Sequence, residues 1–171
     1  MALMYQCITD VLVTTPVVCI AGNHDYPHQP IPVVLSGICD YPTLQIALLK
    51  RLSYPTEQDE SSAWTVSTSD VDIFGLNCVS HWRRFVFPNG NQFRWLENRL
   101  HKSTATWKIL ICHAPLLAHN PKHNNKKSYL SRDDQLQSII YGHRNLIYIS
   151  GHTHISLESA IPCIEYDPRR S

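Results

Sequence analysis

Polar side chains that can bind metals stand at three points of the sequence where a short apolar run ends. The run at residues 17–21 leads into Gly-Asn-His-Asp at 22–25, the run at 107–112 ends at His113, and the run at 145–150 leads into Gly-His-Thr-His at 151–154. Imidazole nitrogens combined with an amide oxygen suit Zn, Fe, Ni and Mn-type ions better than Ca or Mg. The pattern therefore indicates a transition-metal or phosphate site.

Taken singly, each block also fits an ordinary structural role, because Gly, Asn and Asp favour turns and a lone histidine is commonly a surface residue. Together the blocks favour a functional site, since ligands of open α/β sheets bind at the carboxyl ends of strands. His152 and His154 are two residues apart, so extended backbone would direct both imidazoles to the same side. The candidate site residues are Asn23, His24, Asp25, His113, His152 and His154.

The other histidines show no such pattern and are expected at the surface. They are His28, His81, His101, His119, His123 and His143. Of these, His81 and the polar loop at residues 119–128 are weak candidates for contact with a substrate.

The elements that must position the candidate residues alternate between strands and helices. Helices are predicted at residues 3–12, 42–52, from Phe93 to Leu100, and from Ser131 to Gly142. Strands are predicted at 17–21, 64–68, 71–79, 107–112 and 145–150, with 64–68 and 71–79 forming a hairpin. Residues 55–62 are polar, acidic and turn-like. This order predicts an α/β protein with a mixed sheet.

Composition narrows the possible classes of protein. A chain of 171 residues with 43% hydrophobic and 17% charged residues fits one globular domain rather than a disordered segment. A net charge of +1 argues against a general nucleic-acid or anionic-membrane binder. No apolar run approaches the roughly 20 residues needed to cross a bilayer. No Lys or Arg precedes Lys50, so the basic start of a secretory signal is missing.

Six cysteines are spread along the chain without a C-x-x-C pair. Several lie inside apolar, strand-like runs. We therefore expect free thiols rather than a disulfide framework, which is typical of a protein in the reducing cytoplasm.

The three polar blocks resemble the last three of the five signature blocks of the calcineurin-like metallophosphoesterases. The resemblance extends over the whole chain, because the order of strands and helices between the blocks is also similar. It implies a four-layer α/β/β/α sandwich with mixed sheets, present here in part, and a two-metal site at one edge of the sheets. The implied activity is hydrolysis of a phosphate monoester or diester, with a phosphorylated substrate and two divalent ions such as Mn, Fe or Zn.

The same resemblance implies a role for each candidate residue. Asn23, His113 and His152 would ligate the second metal, and His154 would ligate the first. His24 would be the general acid or would contact the phosphate, a role suited to a pKa near neutrality. Asp25 would support the site without binding a metal.

The sequence departs from the family pattern before Gly22. The Asp-x-His and Gly-Asp blocks, which supply carboxylates to both metals, have no counterpart there: Asp10 is the only acid before Asp25, and no histidine precedes His24. We expect residues 1–171 to form a single domain that lacks these two blocks and the closing C-terminal strands. Without these two blocks, residues 1–171 would bind one metal ion or none.

Two further hypotheses stay open at this stage. The chain could be a non-catalytic interaction module that kept the sandwich fold, or a mononuclear metal-binding domain that uses Asn23, His113 and His152. The number of bound metals separates them, because the complete enzyme would bind two ions, the mononuclear domain one and the module none.

Overall fold

The structure is a computed structural model that describes residues 17–20, 22, 49–59, 63–81, 84–87, 91–116, 130 and 134–152. Its strands are β1 (Thr56–Gln58), β2 (Trp64–Ser67), β3 (Val71–Gly75), β4 (Val79–His81), β5 (Arg84–Val86), β6 (Trp107–Cys112) and β7 (Leu146–Ser150). Its helices are α1 (Asn91–Lys102) and α2 (Asp134–Gly142). Leu49 and Lys50 are also helical. The predicted helix at 3–12 and the loops at 26–41 and 119–128 lie outside the described residues.

Five of the strands form one mixed sheet in the order β1-β2-β3-β6-β7. The first three strands are antiparallel, whereas β3, β6 and β7 run parallel. Cys112 pairs with Ser150 at the carboxyl ends of β6 and β7. Residues that directly follow these two strands are therefore placed side by side at one edge of the sheet.

One face of the sheet is covered by the two helices. Phe74 and Leu110 point into a core that also contains Leu96 of α1 and Leu136 of α2, all of them at most 1% exposed. The four-residue spacing of Leu96 and Leu100 brings both onto the buried side of α1. This apolar contact holds α1 against the sheet and confirms the amphipathic helix predicted from the sequence.

Gln92 is a polar member of the same buried helix face. Its side chain is fully buried, and its Oε1 accepts a hydrogen bond from the Asn77 backbone N–H at 2.7 Å while its Nε2 donates to the Asn77 carbonyl at 3.0 Å. A buried backbone segment that leaves the sheet needs such partners, because an unpaired buried amide is costly. The Gln92 side chain thus provides hydrogen-bond partners for the backbone where the chain leaves β3.

The second face of the sheet carries a smaller apolar cluster. Trp64, Val66 and Leu49 are buried there, and Val18 and Ile20 pack against them. The prediction of a strand at residues 17–21 was wrong for the described residues, because residues 17–20 form no strand. The side chains of Val18 and Ile20 are partly buried by packing on the sheet face, and the Cys19 carbonyl accepts a hydrogen bond from Trp64 Nε1 at 3.1 Å.

Two other sequence predictions need correction. Residues 71–79 do not form one strand: β3 ends at Gly75, and β4 begins at Val79 and pairs with β5 in a separate two-stranded sheet. The Leu76 N–H donates to the Ile111 carbonyl at 2.9 Å, and the N–H and C=O of the next residue, Asn77, bond to the Gln92 side chain. The strand pairing of β3 therefore does not continue to β4. The polar segment 55–62 contains β1, because its backbone pairs with β2 and its mostly exposed side chains tolerate the sheet edge.

The α/β class and the mixed sheet are confirmed by these elements. Strands β2 and β3 form the predicted hairpin, and the strands predicted at 107–112 and 145–150 are β6 and β7. Helix α2 is described from Asp134 to Gly142, whereas residues 131–133 of the predicted capping segment lie outside the described residues. The described elements fit part of a metallophosphoesterase fold, and the complete four-layer sandwich stays a prediction.

Candidate functional site

His113 and His152 come together where β6 and β7 end. The centroids of their rings are 5.1 Å apart and the ring planes meet at 72°. Both residues are half-buried. Their proximity follows directly from the parallel pairing of β6 and β7, since each histidine lies one or two residues beyond a paired strand end.

A hydrogen bond and a turn fix the backbone around His113 and His152. The Gly151 N–H donates to the His113 carbonyl at 3.1 Å, which extends the pairing beyond Ser150. His152 has a φ of 70°, in the left-handed region that residues other than glycine rarely adopt. Such a conformation costs on the order of 1 kcal/mol or more and persists where the surroundings impose it. The turn therefore sets the direction in which the His152 imidazole leaves the backbone.

Gly22 brings the first polar block to the same place. A Cβ built on Gly22 would lie 3.0 Å from Cε1 and 3.2 Å from Nδ1 of His113. A side chain at this position would therefore displace the imidazole by a few tenths of an ångström, which favours glycine here. Three sequence blocks thus meet at one edge of the sheet.

The remaining candidate residues lie outside the described residues. They are Asn23, His24, Asp25 and His154. Their roles as metal ligands, general acid and support stay predictions, as do the metal-binding roles of His113 and His152.

The two described histidines have a spacing suited to a shared metal ion. Imidazoles that bind one ion through nitrogens about 2.0–2.1 Å from it have ring centres roughly 5 Å apart, and the observed separation is 5.1 Å. Within the described part of the chain, no group of three or more His, Cys, Asp or Glu residues is placed to hold a metal. The ring spacing of the pair is compatible with a shared ion, and its role as a ligand pair stays a prediction.

Other side chains hold the segment around His113 in place. Tyr148 of β7 donates its hydroxyl proton to the Ala114 carbonyl at 2.6 Å. Cys112 donates to the Cys78 sulfur at 3.5 Å, and both thiols are fully buried. The hydrogen bond with Cys112 and burial together raise the pKa of the Cys78 thiol well above its ordinary value. The Cys78 thiol therefore stays protonated at physiological pH. The sequence pattern does not predict its pairing with Cys112.

A profile of the calcineurin-like phosphoesterase family matches residues 2–156. The chain belongs to this family. Members of the family bind divalent metals and hydrolyse phosphoesters, so membership implies chemistry of that type here. Searches among curated proteins and solved structures gave no match. In the part of the chain that the structure describes, no helix has the length and apolar character needed to cross a membrane.

Proposed function

We propose that the edge formed by Gly22, His113 and His152 is the active site of a metal-dependent phosphatase or phosphodiesterase. The observation that carries this proposal is the His113–His152 pair, with its 5.1 Å ring separation at the ends of adjacent parallel strands. Membership in the calcineurin-like phosphoesterase family supports the same chemistry.

In this proposal Asn23, His113 and His152 hold one divalent ion and His154 holds part of the site for a second. Bound cations would supply positive charge to the phosphoryl oxygens and activate water for attack. The protein's contribution is to fix its ligands before the substrate arrives. Gly22 against the His113 ring and the hydrogen bond from Gly151 to His113 serve this purpose.

His24 would donate a proton to the departing alkoxide. An imidazole with an ordinary pKa near 6.5 holds and releases a proton at neutral pH, and such catalysis contributes about 10² to 10⁴ in rate. Asp25 would orient the neighbouring polar block without binding a metal. A phosphate monoester and a diester both provide the leaving oxygen that this step needs.

The sequence before Gly22 offers few negative charges to balance two cations. Asp10 is the only carboxylate before Asp25, and no Asp-x-His or Gly-Asp block is found there. Even indirect partners of metal ligands typically change affinity or activity 10- to 100-fold, so missing carboxylate ligands should weaken binding at least about that much. We therefore propose that residues 1–171 by themselves bind one ion or none at low metal concentration and need an excess of metal for hydrolysis.

The test measures bound Mn²⁺ per chain and the hydrolysis of p-nitrophenyl phosphate and bis(p-nitrophenyl) phosphate, with excess Mn²⁺ and with chelator. We expect hydrolysis that requires metal and that falls about 100-fold or more in His113→Ala. His101→Ala, which alters a histidine away from this edge, is the matched control and should retain activity. Hydrolysis that survives both chelator and His113→Ala would contradict the proposal.

The metal count separates the alternatives in the same experiment. One bound Mn²⁺ without hydrolysis of either substrate would favour a mononuclear metal-binding domain. No bound Mn²⁺ and no hydrolysis would favour a non-catalytic interaction module. Two ions that stay bound after free Mn²⁺ is removed would contradict the proposed weakness of the site and would mean that other residues replace the family's carboxylates.

A further inference from the structure

A second pair of histidines lies at the opposite ends of the same two strands. His101 is in the last turn of α1, which leads into β6, and His143 directly follows α2, which leads into β7. Their ring centroids are 5.2 Å apart and the ring planes meet at 63°. The sequence pattern predicts only that both residues are surface histidines.

We propose that His101 and His143 form a second site for a transition-metal ion such as Zn²⁺, Ni²⁺ or Cu²⁺. Neutral imidazole is a preferred ligand of these ions. The 5.2 Å ring separation fits two imidazoles that share one ion, because nitrogens about 2.0–2.1 Å from the ion place the ring centres roughly 5 Å apart. The remaining coordination positions are open to water. This site is independent of the proposed phosphoesterase function.

The end of α1 that carries His101 is fixed to the sheet. The Ser103 N–H donates to the Arg99 carbonyl at 3.0 Å, and the Ser103 hydroxyl donates to the buried Asp72 carboxylate at 2.5 Å. His101 is therefore held near its position before any ion binds. Ligands held in advance lose less conformational entropy on binding.

The segment that carries His143 is fixed to the same region. The His143 N–H donates to the Ile140 carbonyl at 3.3 Å, and the Asn145 side chain donates to the Thr106 carbonyl at 3.2 Å. Lys108 donates its backbone N–H to the Asn145 carbonyl at 2.9 Å. The two histidines thus belong to two segments that are already joined, and an ion between them would add a further link.

Exposure and charge set the strength expected of this site. His101 is exposed and His143 is half-buried, so an ion reaches the pair from solvent. Lys102 follows His101 and Arg144 follows His143 in the sequence, and both are exposed. Their positive charges oppose the binding of a cation, although salt screens exposed charges. We therefore expect binding weaker than that of a four-ligand structural zinc site.

The test uses the full chain labelled with ¹⁵N and titrated with Cu²⁺, which broadens the NMR signals of nearby residues. The strand β6 has six residues, so its two ends are roughly 20 Å apart at about 3.3 Å per residue. That distance allows the two edges to be distinguished. We expect broadening around residues 101 and 143 that is lost in His101→Ala and in His143→Gln but kept in His113→Ala.

Lys102→Gln is the matched control, because it alters the neighbouring exposed residue and removes an opposing charge. It should keep the broadening or produce it at a lower Cu²⁺ concentration. The spectrum of each variant without Cu²⁺ should match that of the unaltered chain except near the substitution, which verifies that the variant is folded. The proposal is overturned if residues 101 and 143 do not broaden at a tenfold excess of Cu²⁺, or if broadening there persists in both histidine variants.

Discussion

The two ends of β6 and β7 carry histidine pairs of almost the same geometry in different surroundings. The rings are 5.1 Å apart at the carboxyl ends and 5.2 Å apart at the amino ends. At the carboxyl ends the backbone of Gly22 lies against a half-buried ring, whereas next to His143 a Cβ on Gly142 would meet nothing within 4 Å. The two pairs therefore share a ring spacing compatible with the proposed ions, and the surrounding chain distinguishes the candidate active site from the proposed surface site.

Among substitutions other than those of the histidines themselves, the largest effect should come from filling the space between Gly22 and His113. In Gly22→Ala the new methyl group would lie 3.0 Å from Cε1 of His113, so the ring must move by a few tenths of an ångström. A displacement of about 1 Å at an active site can reduce the rate about 100-fold, so we expect a loss of up to about 100-fold in kcat/KM for bis(p-nitrophenyl) phosphate. Gly142→Ala is the control at the amino ends of the strands and should leave kcat/KM unchanged. Equal losses in the two variants would contradict the difference proposed between the two edges of the sheet.

The next largest effect should come from removing the hydrogen bonds that fix the backbone just after β3. Gln92→Leu removes both hydrogen bonds between the Gln92 side chain and the buried Asn77 backbone. The expected loss in the free energy of unfolding is about 2 to 4 kcal/mol, measured by urea denaturation. Gln135→Leu changes an exposed glutamine of α2 and should alter stability by less than about 0.5 kcal/mol. A small effect of Gln92→Leu would mean that water replaces the side chain.

Two tryptophans allow a comparison between the sheet face and the amino edge. Trp64 is 1% exposed and donates to the Cys19 carbonyl, three residues before Gly22, whereas Trp107 at the start of β6 is 47% exposed. Trp64→Phe loses this hydrogen bond and buried volume, for an expected cost of about 2 kcal/mol. Trp107→Phe should cost less than about 0.5 kcal/mol. Thermal unfolding of both variants tests this order, and the reverse order would contradict the packing described here.

The smallest effect is a loss of stability at alkaline pH. Folding raises the pKa of Cys78 above its ordinary value of 9.0 through the hydrogen bond with Cys112 and through burial. The unfolded chain therefore releases this proton first, so the stabilisation is complete below pH 9 and is lost as the pH rises further. At pH 9.5 the expected loss is less than about 1 kcal/mol. Urea denaturation at pH 7.5 and 9.5 should show a smaller difference in Cys78→Ala, and an unchanged difference would assign the loss to other groups.

The elements beside the candidate site were predictable because their apolar patterns are long and regular. Leu96 and Leu100 indicated α1, and the apolar run at 107–112 indicated β6 with His113 at its end. Local patterns were less informative where tertiary contacts decide the conformation. Residues 17–20 are apolar like a strand but pack on a sheet face, and Thr56–Gln58 is polar but pairs through its backbone.

The same limit applies to the sites. His113 and His152 could be placed together because parallel strands end at one edge. The pairing of His101 with His143 depends on where two helices end in space, which no spacing along the sequence reveals. Gln92 stands four residues before Leu96, so its place on the buried face of α1 was accessible to sequence reasoning. Its partner Asn77 was not, because the contact joins residues 15 positions apart.

We propose that metal-dependent hydrolysis takes place at the carboxyl ends of β6 and β7. Measurement of kcat/KM for bis(p-nitrophenyl) phosphate in His152→Ala and His143→Ala, both with excess Mn²⁺, tests this proposal directly. We expect a loss of about 100-fold or more in His152→Ala and activity within about twofold of the unaltered chain in His143→Ala. Full activity in His152→Ala, or an equal loss in both variants, would contradict it.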